Sequence, residues 1–223
     1  MIDVVAIDGP VGVGKSSVAA QLAGRLGWQH LDTGAMYRAV AHRALKNKIS
    51  LDDEKGCAEA ARVMKFEFVP SPGGQRVLLD GEDATEAIRS HEVNRAVSAV
   101  ADCVAVREEL GKRQRDLGRS KPSVAEGRDM GTVVFPDARW KFFLDADPLE
   151  RVNRRGTQMI SEGKSLEESK LLASIAERDR RDRERPVGAL RVAKDAILID
   201  TSRMSLERVI SLLEQMVRAE WTV

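Results

Sequence analysis

VVAIDGPVGVGKSS, Val4 to Ser17, is the stretch on which the reading of this chain turns. The run Ile2–Ile7 is apolar and rich in β-branched residues, and it stops at Asp8-Gly9. VAAQLAGRLG then shows helical apolar spacing and ends on Gly27, so the order is strand, glycine loop, helix. Gly9, Gly14, Lys15 and Ser16 satisfy G-x-x-x-x-G-K-[ST]. In that pattern backbone N–H groups wrap phosphates, the Lys meets the β and γ oxygens, and the hydroxyl holds Mg²⁺. The pattern alone would turn up in roughly one random chain in a hundred of this length. Here it lies after a strand and before a helix, and Gly12 adds backbone freedom, so a mere glycine turn is the poorer reading. The cradle comprises Gly9, Pro10, Val11, Gly12, Val13, Gly14, Lys15, Ser16 and Ser17.

Working outward, strand-sized runs recur at 123–126, 140–145 and 196–200, separated by helix-length segments such as 91–117 and 205–219. Strands alternating with helices imply parallel βαβ units and a sheet covered on both faces. One segment breaks this rhythm. KFEFV (65–69) alternates, SPGG is turn chemistry and RVLLD (76–80) returns, so 65–80 reads as an inserted hairpin or small meander. Asp147 to Arg185 is charged and helix-forming, with a break at SEGKS (161–165) and a stop at Pro186, which suits two antiparallel helices.

The 223 residues, 43% of them apolar, suffice for one domain with inserted modules. Lys and Arg total 36 against 35 Asp and Glu, and only 4% of residues are aromatic, which disfavours a nucleic-acid-binding ATPase. Arg outnumbers Lys by 25 to 11, a bias toward the planar fork that grips phosphate oxygens in pairs, and one that genomic base composition also produces. Cys57 and Cys103 have no metal-site spacing and read as buried reduced thiols. The amino terminus does not read as a signal peptide and no apolar run approaches membrane-spanning length, so a cytoplasmic protein is expected.

A P-loop leaves the destination of the γ-phosphate open: water, as in a GTPase, or a second substrate, as in a kinase. The guanine-reading N-K-x-D is missing from the sequence. A kinase needs a second anion pocket, and three segments offer one. In HLDTGAMYR (30–38), Asp32 and Thr33 suit a helix cap and Arg38 lies one and a half turns on; an ordinary helix start with a surface Arg fits equally. AEGRDMGTVVFP (125–136) places Glu126, Arg128 and Asp129 at the end of a buried strand, where ligand crevices of open α/β sheets form; a structural Arg128–Asp129 pair is the alternative. In ERDRRDRER (177–185), Arg178, Asp182 and Arg185 share one helical stripe, while Glu177–Arg181, Asp179–Arg183 and Arg180–Glu184 suit local pairing. A solvated, salt-bridged face competes there with a phosphate clamp.

GPVGVGKSS, LDTGAMYR, AEGRDMGTVVFPDA, FLDA and ERDRRDRER, in this order, resemble the bacterial cytidylate kinases across essentially the whole chain. The resemblance implies a P-loop NTPase-like α/β fold: a three-layer α/β/α core on a parallel five-stranded sheet, an inserted monophosphate-binding lobe with a small antiparallel sheet, and a helical lid. It implies a core of 1–31, 101–146 and 186–223, a CMP lobe of 32–100 and a lid of 147–185. It implies ATP as co-substrate with Mg²⁺, and CMP or dCMP as acceptor, in a monomer that binds neither nucleic acid nor membrane. Thr33, Arg38, Arg107, Arg128, Asp129, Arg178, Asp182 and Arg185 match the CMP-binding positions. Lys15, Arg128 and Arg185 match phosphate-handling positions, Arg178 and Asp182 match the pair that holds the pentose hydroxyls, and Arg154 or Arg155 would reach the transferring group. Ser16 would hold Mg²⁺, with Glu126 acting on it through water. The rival readings are another small-molecule P-loop kinase and a P-loop switch protein.

Overall fold

In a computed structural model, residues 2–71, 74–161 and 167–221 are described. The elements in chain order begin with β1 (Ile2–Asp8), α1 (Lys15–Leu26), β2 (Gln29–Asp32), α2 (Thr33–Lys46) and α3 (Glu54–Val63). Next come β3 (Phe66–Ser71), β4 (Gly74–Leu79), β5 (Glu82–Asp83), α4 (His91–Asp102) and α5 (Val104–Ser120). The remainder is β6 (Ser123–Gly127), β7 (Ala138–Asp145), α6 (Pro148–Ser161), α7 (Glu168–Glu184), β8 (Ile197–Asp200) and α8 (Leu206–Trp221). The chain divides into one unit of Met1–His30 with Gly118–Val223 and another of Leu31–Leu117.

The first unit is built on a five-stranded sheet in the order β2-β6-β1-β7-β8, and β1 pairs in parallel with both β6 and β7. Val4 to Ile7 are 0% exposed, as expected of a central strand covered on both faces. Val5 and Ile7 pack with Val18 and Leu22 of α1, Phe142 and Leu144 of β7, and Ile210 and Leu213 of α8. Burying each such side chain contributes about 1.5–3 kcal/mol. The edge strand β8 continues the parallel order from β7. After β6 comes a single π-helical turn, Met130–Val134, in which Phe135 N–H donates to Met130 C=O at 2.7 Å. α6 and α7 pack on one another. The break expected at 161–165 falls, from 162 onward, outside the described residues; α7 ends at Glu184, and Arg185 is extended (ψ 132°) before Pro186, as sterics before proline demand.

The second unit holds the antiparallel sheet β3-β4-β5 and helices α2, α3 and α4. The expected meander is present, although Pro72 and Gly73 of its first turn lie outside the described residues. Its second turn is Asp80-Gly81, both at positive φ (52° and 87°), the left-handed geometry of a two-residue hairpin. The single helical segment expected over 91–117 is instead two helices. Cys103 takes an extended ψ of 114° between them, and its N–H caps the carbonyls of Ala99 and Val100. Asp102, Cys103 and Val104 are all weak helix formers, so little local preference opposes the break. Both cysteines are buried and reduced, as expected. No helix among the described residues is long and apolar enough to cross a membrane.

Candidate active site

Within the first unit, the loop after β1 begins at Gly9 and closes at Gly14, which caps α1 with φ 95°. Lys15 opens the helix, buried at 6% exposure, and its Nζ donates to Pro10 C=O at 2.7 Å. Burial, then the like charge of Arg128, pushes the Lys15 ammonium down to about 7, against the opposing pull of Glu126, Asp182 and Asp8. The ends of β1 and β6 are tied across the sheet by Asp8. Its carboxylate accepts from Met130 N–H (2.9 Å) and Gly131 N–H (2.8 Å), so a β1 residue holds the turn that follows Arg128-Asp129. Burial raises Asp8 to about 6 in spite of those two hydrogen bonds. Its folded pKa exceeds its unfolded value, so the stability it contributes is full below about pH 4 and is lost as pH rises through about 6.

Glu126, buried near the end of β6, lies 3.7 Å from His30 Nε2. Burial acts to raise its carboxyl, but His30, the Lys15 charge and the Ser16 hydroxyl together hold it below its usual value. Arg128 Nε donates to Asp182 Oδ2 at 2.6 Å, and Arg185 Nη2 donates to Asp182 Oδ1 at 2.7 Å. One carboxylate on α7 therefore orients two guanidinium groups. Burial acts to raise Asp182, yet Arg128 first, then Arg185 and Arg178, hold it below the ordinary carboxylate range. Asp129 is buried and its C=O accepts from Val133 and Val134 N–H. Arg154 of α6 donates to Thr201 C=O (2.6 Å) and Oγ1 (3.1 Å), with Val13 C=O at 3.5 Å. Asp179 of α7 accepts from Val11 N–H at 3.3 Å and pairs with Arg151 at 2.5 Å.

In the second unit, Asp32 caps α2 by accepting from Ala35 N–H at 2.9 Å, and Thr33 is buried at 2% exposure. Arg38 Nη1 donates to Asn94 Oδ1 at 2.7 Å, and Asn94 is itself anchored on the carbonyls of Arg89 and Ser90. The Arg107 guanidinium lies 5.3 Å from the centre of the Tyr37 ring and donates to Ala101 C=O at 3.1 Å.

A family model of cytidylate kinases matches residues 5–219. The chain belongs to the cytidylate kinase family. A cytidylate kinase of Pseudomonas aeruginosa (strain UCBPP-PA14) is 44% identical over 100% of this chain and 98% of its own length. One from Pelotomaculum thermopropionicum is 45% identical, covering 96% of each chain. Among solved structures, an uncharacterized protein of Eubacterium ventriosum is similar in fold alone, with a TM-score of 0.51 and 13% identity over 97% of this chain and 98% of that one.

Of the positions matched to cytidylate kinases, the first unit brings together the cradle, Lys15, Glu126, Arg128, Asp129, Arg154, Asp182 and Arg185, with Arg178 acting on Asp182 by its charge. Thr33, Arg38 and Arg107 belong to the second unit. Arg154 donates toward the cradle carbonyl of Val13. On α7 the expected Arg180–Glu184 pair is present, whereas Asp179 pairs elsewhere. Arg180 bonds both Glu177 and Glu184, but Asp179 turns inward to Arg151 and Val11 instead of pairing with Arg183 along the helix. Arg128 bonds Asp182, 54 residues away. Sequence reading overlooked Asp8, Asn94, Arg151 and Asp179; for Asp8 alone a signal was available, a carboxylate ending a buried strand immediately before the glycine loop.

Proposed function

We propose that this protein transfers the γ-phosphate of ATP to CMP or dCMP, giving ADP and CDP or dCDP. The observation that carries the reading is Asp182 holding Arg128 and Arg185 in the unit whose Lys15 heads the phosphate loop. Asp182 offsets one of the two guanidinium charges, so the trio keeps net positive charge for an anionic substrate. Thr33, Arg38 and Arg107 are assigned to CMP in the same reading, as are Arg178, Asp182 with the pentose hydroxyls, and Asp129 with the cytosine amino group. The division into core, monophosphate lobe and lid belongs to it too.

The chemistry asks for alignment more than for a strong base. The attacking oxygen of CMP is already anionic, so no covalent nucleophile is required. Lys15 and the arginines neutralise charge on the transferring group while the loop amides fix the donor phosphates. Water has to be kept out, and Arg154, anchored on Thr201, is placed to cover the loop at Val13. Mg²⁺ fits the donor set: the Ser16 hydroxyl and Glu126 carboxylate are hard oxygens. In this reading the ion is held largely by the substrate phosphates. When bound with ATP it supplies further charge neutralisation at the phosphate oxygens. The reading takes the enzyme as a cytoplasmic monomer acting on free nucleotides.

A coupled assay of ADP formation over CMP, dCMP, UMP, AMP and shikimate tests this; activity confined to an acceptor other than CMP or dCMP overturns it. Asp182→Ala is expected to raise KM for CMP about 10-fold or more, with KM for ATP changing far less, because both guanidinium groups lose their orienting carboxylate. Equal shifts for both substrates would return α7 to a purely structural role. Nucleotide binding is also expected to take up protons. Lys15 sits near 7 when its site holds no anion and rises when phosphate arrives, so uptake approaches about one proton near pH 8 and fades below about pH 6. Titration calorimetry in buffers of different ionisation enthalpy measures it, and release of protons, or no exchange at pH 8, contradicts it.

A further inference from the structure

We propose that Arg151 and Asp179 are positioning residues for the ATP side of the reaction, acting through the peptide groups at Val11. The two side chains come from different helices, α6 and α7, and are 5% and 3% exposed. Between them they take both hydrogen-bonding groups of one loop residue. Asp179 Oδ1 accepts from Val11 N–H at 3.3 Å, and Arg151 Nη1 donates to Val11 C=O at 3.1 Å. The pair closes on itself through Arg151 Nη1 and Asp179 Oδ2 at 2.5 Å.

Its geometry differs from what cohesion alone requires. A buried Arg–Asp pair serving only to join two helices is best made as two parallel N–H···O bonds. Here one carboxylate oxygen and one shared guanidinium nitrogen are spent on the loop, and Arg151 Nε is buried with no hydrogen-bond partner among the described residues. The ion pair is opened out around the Val11 peptide. The adjacent residue is held as well: a Cβ on Gly12 would lie 3.2 Å from Arg151 Cβ, so the stem of Arg151 is the wall against which the loop bends. Val11 and Gly12 precede the Val13–Ser16 segment whose N–H groups form the cradle, so a shift at Val11 re-aims those groups.

The inference rests on the ATP reading of the loop, and the test separates the two. Arg151→Met with Asp179→Leu replaces the pair by apolar groups of similar bulk, a change that buried ion pairs commonly tolerate without loss of stability. Calorimetric titration with ATP should show affinity weakened about 10-fold or more, in line with what a small misplacement of binding groups does. Steady-state kinetics should show KM for ATP raised with KM for CMP within about 2-fold, and Arg151→Lys, which keeps a donor for both oxygens, should recover most of the loss. ATP bound as tightly as by the wild type, or ATP and CMP weakened alike, overturns the proposal. If the double variant does not fold, Asp179→Asn is judged by the same KM criterion. Failure of the wild-type protein to bind ATP would instead remove the reading of the loop.

Discussion

Lys15→Ala is expected to lower kcat by about 10³-fold while the protein stays folded. The ammonium group is the one cation carried by the loop itself, and removal of one group that stabilises transition-state charge typically costs about 10²–10³ in turnover. Stability should move little. Burial lowers Lys15 to about 7, so the folded protein holds this proton less tightly than the unfolded chain. The associated penalty is full below about pH 7 and fades as pH rises toward the ordinary lysine value, so near neutrality the alanine variant sheds much of it. Against this stand the lost packing of the side-chain stem and the lost bond to Pro10 C=O. The two effects oppose, and a thermal midpoint within about 4 °C of the wild type is expected. Single-turnover measurement with ATP and CMP decides the first part: an unimpaired rate would take Lys15 out of the reaction. A collapse of the melting transition would contradict the second.

Gly9→Ala should be the more destructive change, although it adds one methyl group. At Gly9 φ is 152°, a conformation that residues with a Cβ rarely adopt, and the new Cβ would lie 2.2 Å from Leu144 C=O. Leu144 is backbone of the neighbouring strand β7, buried and hydrogen-bonded within the sheet, so it cannot step aside as a side-chain tip would. The loop must leave β7 at its first residue, which carries Asp8 and the turn at Met130 and Gly131 with it. A stability loss of about 3 kcal/mol or more and a fall in nucleotide affinity of about 100-fold are expected. Gly24→Ala supplies the contrast. Gly24 lies inside α1, and a Cβ added there would meet nothing within 4 Å, so alanine should stabilise by about 0.5–1 kcal/mol through helix propensity. Chemical denaturation of the two variants checks both signs, and a stable Gly9→Ala protein with wild-type ATP affinity would refute the backbone argument.

The parts legible in the sequence were those whose cause is local. Gly9, Gly14, Lys15 and Ser16 reveal the cradle because the loop's own backbone makes it. Val4 to Ile7 reveal a central strand because burial on both faces demands an unbroken apolar run. Asp182 was legible as a candidate from its helical stripe, but its bond to Arg128 was not, since the partner is supplied by a strand end. Asp179 misled for the same reason: helical spacing offers Arg183, whereas tertiary packing offers a buried guanidinium and a loop amide. The interruption at Cys103 escaped because apolar periodicity continues through it, whereas the extended backbone of that one residue separates α4 from α5.

The bond from Lys15 Nζ to Pro10 C=O has a consequence for what can enter the loop. Before any nucleotide arrives, this buried amine is already satisfied by the loop that carries it. A visitor that displaced the carbonyl without offering an acceptor would leave the buried amine unsatisfied, while one bearing oxyanions replaces the bond with a stronger one. The loop thus favours oxyanions through the stronger bond they accept, and compounds meant to block it should carry an acidic group at that point.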